Sequence, residues 1–259
     1  MKTEYRLAAQ EEIPALRELW REAFGDPELF LDQFFSVAFS ESRCAVADSG
    51  GVPVGMTFWF PCTCRGQRMA YLYAVATRKD LRGQGICTGL LTWVRDCLSA
   101  RGVAGMLLVP ETGALARFYG AMGYRPCCPQ GRIRASASGP AVLLKPVSPR
   151  RYGELRPALL PAGAVLQEGC SLEFQASCSR LYCGKELLLS ARVQEDGTLL
   201  AQELLCRDPV AAAPGILKAL KVPSGIFRVP YGKGRPFAMF LPLEGWSGPA
   251  PAYFAFAFD

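Results

Sequence analysis

Residues 72–91 constrain the fold of this chain more than any other stretch. An apolar, β-prone run at residues 69–77 ends in a polar group at residues 78–80, and Gly83 and Gly85 follow. Helix-forming residues then resume. This change of pattern predicts a strand, a glycine turn and the start of a helix.

A glycine turn ahead of a helix is suited to binding phosphate. Glycine adopts positive φ and lets a ligand approach the backbone, so the N–H groups of residues 83–88 can converge outward. A helix beginning near Ile86 adds its unpaired first-turn donors and the positive end of its dipole. We therefore predict a phosphate-binding turn at this point of the chain.

Two common phosphate motifs do not fit the spacing. A P-loop requires Lys and then Ser or Thr after its last glycine, whereas Ile86 and Cys87 follow Gly85. A dinucleotide fingerprint requires a third glycine where Thr88 stands, and Gly89 comes one residue late. The turn therefore serves another phosphate ligand, or it only joins a strand to a helix.

The turn resembles motif A of the GNAT acyl-CoA-dependent N-acetyltransferases, whose pattern is Arg/Gln-x-x-Gly-x-Gly/Ala. The residues that carry the resemblance are Arg82, Gly83, Gln84, Gly85, Ile86 and Cys87. Cys87 departs from the small Gly or Ala of the pattern, although its backbone N–H remains available. The preceding residues, 75–77, resemble the splayed strand of that family, whose main chain pairs with the pantetheine arm of the cofactor.

A second stretch strengthens the resemblance. Residues 111–124 are similar to the GNAT motif B helix with its Phe-Tyr-x-x-x-Gly-Phe/Tyr ending. The resemblance implies acetyl-CoA as a co-substrate and no metal ion. The cofactor-binding residues that it implies are Val75, Ala76, Thr77, Arg82, Gly83, Gln84, Gly85, Ile86, Cys87 and Thr88.

Tyr119 is the first catalytic candidate, and two interpretations stay open. Leu115, Phe118, Tyr119 and Met122 recur at helical spacing, which is typical of a buried helical stripe. In the family, the motif B tyrosine that Tyr119 matches donates a proton to the departing CoA thiolate. A phenol suits this role, because it is a neutral acid at pH 7.

Glu111 is the second catalytic candidate. Many family members carry a glutamate base in the central strand, but residues 69–73 contain no carboxylate here. Glu111 is a substitute that could act through a water molecule, or else an acid stabilised by a helix N-terminus. Removal of the amine proton by solvent is the remaining option. The resemblance also implies an oxyanion donor, which in the family is usually the backbone N–H at the position of Val75.

The predicted fold class is α/β (α+β), with a GNAT mixed sheet and flanking helices in residues 1–144. Helices are predicted at residues 11–24 and 28–39, and an antiparallel meander of strands leads into the glycine turn. The helix after the turn and the next strand complete a crossover that makes two strands parallel. The phosphate turn then lies at the carboxyl end of a strand, where α/β proteins bind ligands.

Residues 145–259 are predicted to form a second, smaller, degenerate GNAT-like α/β domain, as in the Eis-type branch of the family. Its pattern repeats the order hairpin, helix, strand. Residues 207–210 replace the glycine turn with an acid and a proline, so CoA binding is not expected there. This second domain is expected to form a wall of the acceptor site or to mediate assembly. The alternating tail, residues 253–259, is predicted to be a strand that pairs within the fold or across a dimer.

Composition excludes several function classes. The chain has no histidine, which rules out Ser-His-Asp and Cys-His catalysis, and its 11 cysteines lack the spacing of a zinc site. The net charge of +6 is scattered, so no nucleic-acid partner is expected. Neither a secretory signal nor a membrane span is apparent, which predicts a cytoplasmic protein without a membrane partner.

The sequence therefore favours an N-acetyltransferase that transfers an acetyl group directly from acetyl-CoA to a primary amine in a ternary complex. The acceptor is a small-molecule or peptide amine, and assembly into a homo-oligomer stays open. The alternative is a non-catalytic acyl-CoA-binding regulatory protein of GNAT fold, motivated by the missing strand carboxylate. A purely structural interaction module is the third hypothesis.

Overall fold

The computed structural model describes residues 3–231 and 233–258. Its strands are β1 (Thr3–Leu7), β2 (Cys44–Ser49), β3 (Pro53–Cys64), β4 (Gln67–Thr77), β5 (Gly105–Leu108), β6 (Arg125–Ser136), β7 (Lys145–Pro146), β8 (Leu166–Gln167), β9 (Arg180–Gly184), β10 (Leu187–Val193), β11 (Leu199–Cys206), β12 (Ser224–Pro230) and β13 (Arg235–Pro242). Its α-helices are α1 (Ile13–Phe24), α2 (Glu28–Val37), α3 (Ile86–Ala100), α4 (Gly113–Ala121), α5 (Pro149–Leu155), α6 (Cys170–Cys178) and α7 (Pro209–Leu220). No helix in this described part is long and apolar enough to span a membrane.

The chain divides into two compact units. Unit 1 comprises Met1–Arg125 and Met239–Pro249, and unit 2 comprises Pro126–Ala238 and Ala250–Asp259. The predicted boundary between residues 144 and 145 does not coincide with this division. The reason is that β6 pairs with β12 of unit 2, while the end of β13 returns to pair with β5 of unit 1.

The sheet of unit 1 has the predicted mixed topology. Strands β1 to β5 follow one another in sheet order, and the end of β13 lies beside β5. Neighbouring strands are antiparallel except β4 and β5, which run parallel where Met69–Tyr71 face Gly105–Leu107. Helix α3 forms the crossover between them, so the predicted meander and α/β crossover are confirmed.

Helices pack on the sheet of unit 1 through the residues that the helical pattern indicated. Leu90, Leu91, Val94 and Leu98 of α3 are buried in one core cluster. On α1, Trp20 is buried and packs against Phe34, with ring centroids 4.6 Å apart. Phe24, the last residue of α1, is by contrast 42% exposed.

Unit 2 repeats the order hairpin, helix, strand. β10 and β11 form an antiparallel hairpin, α7 follows, and β12 then runs parallel to β11. Apolar residues of β10, β11 and α7 form the core of this unit. The sequence did not predict α6 or the strands β6, β7, β8, β9 and β13.

The C-terminal segment corrects one prediction. Residues 253–258 are buried but form no strand, apart from a single bridge at Tyr253, and Asp259 lies outside the described residues. Their backbone is paired instead with amide side chains of unit 2. Gln167 binds both the N–H and the C=O of Phe256, and Gln130 donates to Phe254 O at 2.7 Å. Amide side chains therefore satisfy part of the backbone of this buried segment in place of a strand partner.

The packing of α3 against β1 gives a stability prediction. A Cβ built on Gly89 would lie 2.0 Å from the Tyr5 hydroxyl oxygen and 2.4 Å from the ring carbon that bears it. We expect Gly89→Ala to lower the free energy of unfolding by about 1–3 kcal/mol, because a helix or a ring must move. Urea unfolding of the variant and the wild type measures the difference in free energy of unfolding.

Gly120→Ala on α4 is the matched control for this substitution. A Cβ at Gly120 meets nothing within 4 Å. The control should leave stability unchanged or raise it by up to about 1 kcal/mol through helix propensity. Equal stability of Gly89→Ala and the wild type would contradict the close approach of Tyr5.

Candidate active site

A β-bulge shapes the edge of the site. Met56 pairs with Ala76 and Phe58 pairs with Tyr73, so two residues of β4 oppose the single residue Thr57. One of the two is Ala74, whose φ of +50° lies in the left-handed region. Such a bulge bends a strand and disrupts its pairing.

Strand β4 extends beyond its pairing with β5. The pairing ends where Tyr71 faces Leu107, because β5 ends at Leu108, whereas β4 continues to Thr77. The splayed strand at residues 75–77 stays a prediction. Thr57 supports the bulge, since its hydroxyl donates to the Tyr73 carbonyl at 3.4 Å.

The glycine turn follows β4 as predicted. A short 3-10 helix, Lys79–Leu81, leads into Gly83 and Gly85, both with φ of +79°. A Cβ at either glycine would meet nothing within 4 Å. Glycine is therefore required at these positions by the backbone conformation rather than by lack of space.

Two side chains hold the turn in place. The N–H of Lys79 donates to Glu22 Oε2 of α1 at 3.1 Å. Arg82 Nε donates to the carbonyl of Thr77, at the end of β4, at 3.0 Å. The turn is thus attached both to α1 and to the strand that precedes it.

The turn leaves a set of N–H donors open. Within the described residues, no acceptor of the chain pairs with the N–H groups of residues 83–88, and the first helical bond joins Gly89 N–H to Gly85 O at 2.9 Å. These donors lie at the N-terminus of the 15-residue helix α3. The arrangement can therefore receive an anion.

A cavity of about 580 Å³ joins the turn, the end of β4 and α4. Nine of the ten predicted cofactor-binding residues line it, together with Tyr119 and Glu111. Gln84 is the exception, since its exposed side chain is not among the lining residues. The structure brings the predicted site residues together, and their binding and catalytic roles stay predictions.

Five further residues line the cavity that the sequence did not assign to the site: Ala23, Phe24, Leu81, Leu115 and Phe118. Ala23 and Phe24 end α1, which is distant in sequence from both motifs. Leu115 and Phe118 belong to the apolar stripe of α4, so their spacing was visible but indicated a core.

Tyr119 lies at the inner wall of the cavity. It is the buried residue of the α4 stripe, whereas Leu115 is 37% exposed and Phe118 is half-buried. The stripe therefore lines the cavity instead of forming a closed core. Burial, with a smaller contribution from Cys87, raises the pKa of the Tyr119 phenol above its usual range. The phenol is protonated at neutral pH and can donate.

Glu111 lies at the cavity, just before α4. Its side chain is exposed. The cap of α4 is Thr112, whose hydroxyl accepts from the N–H of Leu115 at 3.2 Å. The Glu111 carboxylate is therefore not used as the helix cap and is open to the cavity.

Cys87 adds a neutral thiol to the first turn of α3. Burial raises the pKa of the Cys87 thiol to about 11, and the neighbouring Thr77 hydroxyl offsets part of this rise. The Thr77 hydroxyl nevertheless makes no well-formed hydrogen bond among the described residues. A thiol in this state is a poor nucleophile, so the arrangement does not favour covalent catalysis by Cys87. In residues 3–231 and 233–258 no group of three His, Cys, Asp or Glu side chains could hold a metal ion.

Unit 1 matches a known family by sequence. Residues 4–127, slightly less than half of the chain, match the sequence model of the acetyltransferase (GNAT) domain. No curated protein sequence that was compared with the chain matches it.

Solved structures share the fold of the GNAT domain and of the unit that follows. A GCN5-related N-acetyltransferase from Kribbella flavida is 15% identical with a TM-score of 0.71, covering 94% of this chain and 71% of that one. The GCN5-related N-acetyltransferase from Anabaena variabilis ATCC 29413 is 17% identical with a TM-score of 0.68, covering 92% and 72%. Eis1 from Mycobacterium abscessus is 17% identical with a TM-score of 0.63, covering 91% and 66%. The predicted likeness to an Eis-type tandem fold is confirmed.

The state of Cys87 gives a pH prediction. Because burial raises its pKa to about 11, we expect iodoacetamide at pH 7.5 to alkylate it about 100-fold more slowly than a free cysteine peptide. The rate should rise as pH increases toward 11, since only the thiolate reacts. Mass spectrometry of the peptide that contains Cys87 measures the rate. Alkylation as fast as that of the free peptide at pH 7.5 would show that the thiol is not shielded.

Proposed function

We propose that this protein is an acetyl-CoA-dependent N-acetyltransferase that acts on a primary amine of a small molecule or peptide. The observation that carries the proposal is one cavity in which open N–H donors, the end of β4 beyond its pairing with β5 and a protonated phenol meet. The GNAT-family domain supports acyl transfer as the reaction class.

The cavity can hold each part of the proposed co-substrate. The open N–H groups of residues 83–88 suit the diphosphate, and they need no metal ion to do so. The main chain of residues 75–77, beyond the last pair between β4 and β5, suits the two amides of the pantetheine arm. A cavity of about 580 Å³ falls within the range of small-molecule sites.

The chemistry requires a neutral amine, an oxyanion donor and an acid. The amine nitrogen forms a bond to the thioester carbon, and the proton it loses goes to solvent or to Glu111 through water. The N–H of Val75 is the proposed oxyanion donor, because the bulge takes this residue out of regular pairing. Tyr119 then donates its proton to the sulfur as the C–S bond breaks, and solvent returns the proton to the phenol.

Unit 2 is proposed not to bind CoA. At the corresponding helix N-terminus, the Asp208 carboxylate accepts from the N–H of Ala211 at 3.0 Å. Pro209 begins α7 and has no N–H to offer. One first-turn donor is therefore occupied by a carboxylate and another is missing, which disfavours a phosphate at this helix N-terminus.

The thiol state is consistent with the proposed cytoplasmic location. All 11 cysteines are free. Free thiols in this number are typical of a reducing compartment.

The test of the proposal combines binding with turnover. Calorimetric titration with CoA should give one site per chain, since the glycine turn and its cavity lie in unit 1, whereas Asp208 caps the corresponding helix of unit 2. Release of free thiol from acetyl-CoA should then be detectable with members of a panel of primary amines. CoA binding without thiol release for any amine would favour the non-catalytic regulatory alternative. Absence of both CoA binding and a CoA-dependent thermal shift would exclude both functions.

The role of Tyr119 can be separated from binding. We expect Tyr119→Phe to lower kcat by about 10²–10⁴-fold, because the departing thiolate loses its proton donor, and to leave the Kd for CoA nearly unchanged. Steady-state thiol release and calorimetry give the two values.

Tyr124→Phe is the matched control. Tyr124 is also buried, its hydroxyl has no partner among the described residues, and it does not line the cavity. The control should keep wild-type turnover. If Tyr119→Phe turns over as fast as the control, Tyr119 is not the acid.

A further inference from the structure

A second cavity lies wholly within unit 2. Its volume is about 560 Å³, close to that of the cavity at the glycine turn, and the two cavities share no lining residue. The residues that line it come from the end of α6, from β9 and β10, from the start of β11 and from the end of α7. The proposed acyl transfer uses none of these residues.

The charged side chains at this cavity are all positive. Arg180 and Arg192 line it, and no Asp or Glu is found among the described residues that do so. Neither guanidinium makes a hydrogen bond or an ion pair with another described residue. Elsewhere in unit 2, the exposed side chains of Arg150 and Arg151 both contact Glu154. The cavity is therefore a place where positive charge is left uncompensated.

Strand pairing brings the two arginines together. Arg180 faces Ala191 across β9 and β10, and Arg192 follows Ala191. The Cα atoms of the two arginines are therefore about 6–7 Å apart. The cavity lies at this end of the two strands, and residues from both faces of β10 line it. Two like charges this close repel each other, and an anion bound between them removes the repulsion.

The neighbouring helix ends do not cancel this charge. α6 ends at Cys178 and α7 ends at Leu220, and both residues line the cavity. The carboxyl end of a helix carries about half an elementary negative charge, so the two ends offset about one of the two arginine charges. Unit 2 as a whole is also basic, with 15 Lys and Arg against nine Asp and Glu, whereas unit 1 has 14 of each kind. The cavity therefore attracts an anion.

The rest of the lining combines an apolar surface with a fixed hydroxyl. Val193 is 57% exposed, and Leu199 and Leu220 also line the cavity. The Ser179 hydroxyl lies 2.9 Å from the hydroxyl of buried Ser190, which fixes the segment between α6 and β9. A ligand that joins a negative group to a hydrocarbon body matches both parts of this lining.

We propose that this cavity binds an amphiphilic oxyanion, a small molecule whose carboxylate or phosphate contacts Arg180 and Arg192 and whose hydrocarbon body covers Val193. Guanidinium groups bind both oxyanions through charge-assisted and often bidentate hydrogen bonds. The volume falls within the range of small-molecule sites. The inference does not depend on the proposed function, because it concerns binding to unit 2 alone.

The test begins with calorimetric titration of the full chain. Octanoate and octyl phosphate are the probes, and they separate a carboxylate from a phosphate as the preferred head group. Octanol lacks the charge, and inorganic phosphate lacks the hydrocarbon body. We expect at least one of the two amphiphilic anions to bind about tenfold or more tightly than octanol and inorganic phosphate, because both parts of the ligand contribute.

Variants of the cavity locate the bound anion. Arg180→Gln and Arg192→Gln should each weaken binding by about tenfold or more, because each removes a charge-assisted hydrogen bond. Val193→Asp should weaken it as strongly by adding a negative charge at an exposed position. Arg207→Gln is the matched control, since Arg207 is an exposed arginine of unit 2 outside the cavity, and it should keep the wild-type Kd. Thermal unfolding verifies that each variant is folded.

Three outcomes would overturn the inference. The first is that neither octanoate nor octyl phosphate binds the wild type at millimolar concentrations. The second is that octanol binds as tightly as the anions, which would make the cavity an apolar cleft only. The third is that the folded Arg180→Gln and Arg192→Gln variants bind as tightly as the Arg207→Gln control, which would place the anion elsewhere. None of these outcomes bears on the proposed function, which CoA binding and thiol release decide.

Discussion

The extra residue in β4 is the feature on which the site of unit 1 depends. A regular β4 would keep Ala74 and Val75 paired with β3. Instead Ala74 takes a left-handed conformation, and both residues leave the regular pairing just beyond the point where β4 stops pairing with β5. The bulge costs backbone strain at a residue other than glycine. Burial of β3 and β4 on both sides, together with the Thr57 hydroxyl, holds it in place.

The second requirement is that α3 points its N-terminus at the same end of β4. Its first residue, Ile86, packs with Ala47 and Val54, and Tyr5 lies against the helix at Gly89. Because this packing positions the helix, the first-turn N–H groups need no partner of their own. Apolar burial on the opposite side of the helix offsets the free-energy cost of these unpaired N–H groups, which stay open for a ligand.

Local chemistry explains which parts were predictable. The glycine turn and the start of α3 at Ile86 follow from glycine conformations and helix propensity, which are local, and both are confirmed. The bulge at Ala74 was not predictable in position, since alanine gives no sign of positive φ. The unit division also escaped prediction, because it depends on which distant strand β6 pairs with.

The α1 helix illustrates a different limit. Its apolar residues recur at helical spacing, and Leu16, Leu19 and Trp20 among them are buried. The same spacing included Phe24, which the structure leaves exposed at the cavity. Periodicity indicates the face on which a residue lies, but it does not indicate where along the helix the partner surface ends. A cavity at the end of a packed helix is therefore invisible to the pattern.

Comparison of the two units isolates what the glycine turn contributes. Both contain a hairpin, a helix and a strand parallel to the second hairpin strand. In unit 1 two glycines leave the helix N-terminus uncapped, whereas in unit 2 Asp208 caps it and Pro209 removes a donor. A capped terminus is already neutralised by a carboxylate, so a phosphate would meet repulsion where unit 1 offers attraction. The same order of elements can therefore favour or disfavour an anion at the helix N-terminus. The few residues before the helix decide between these two cases.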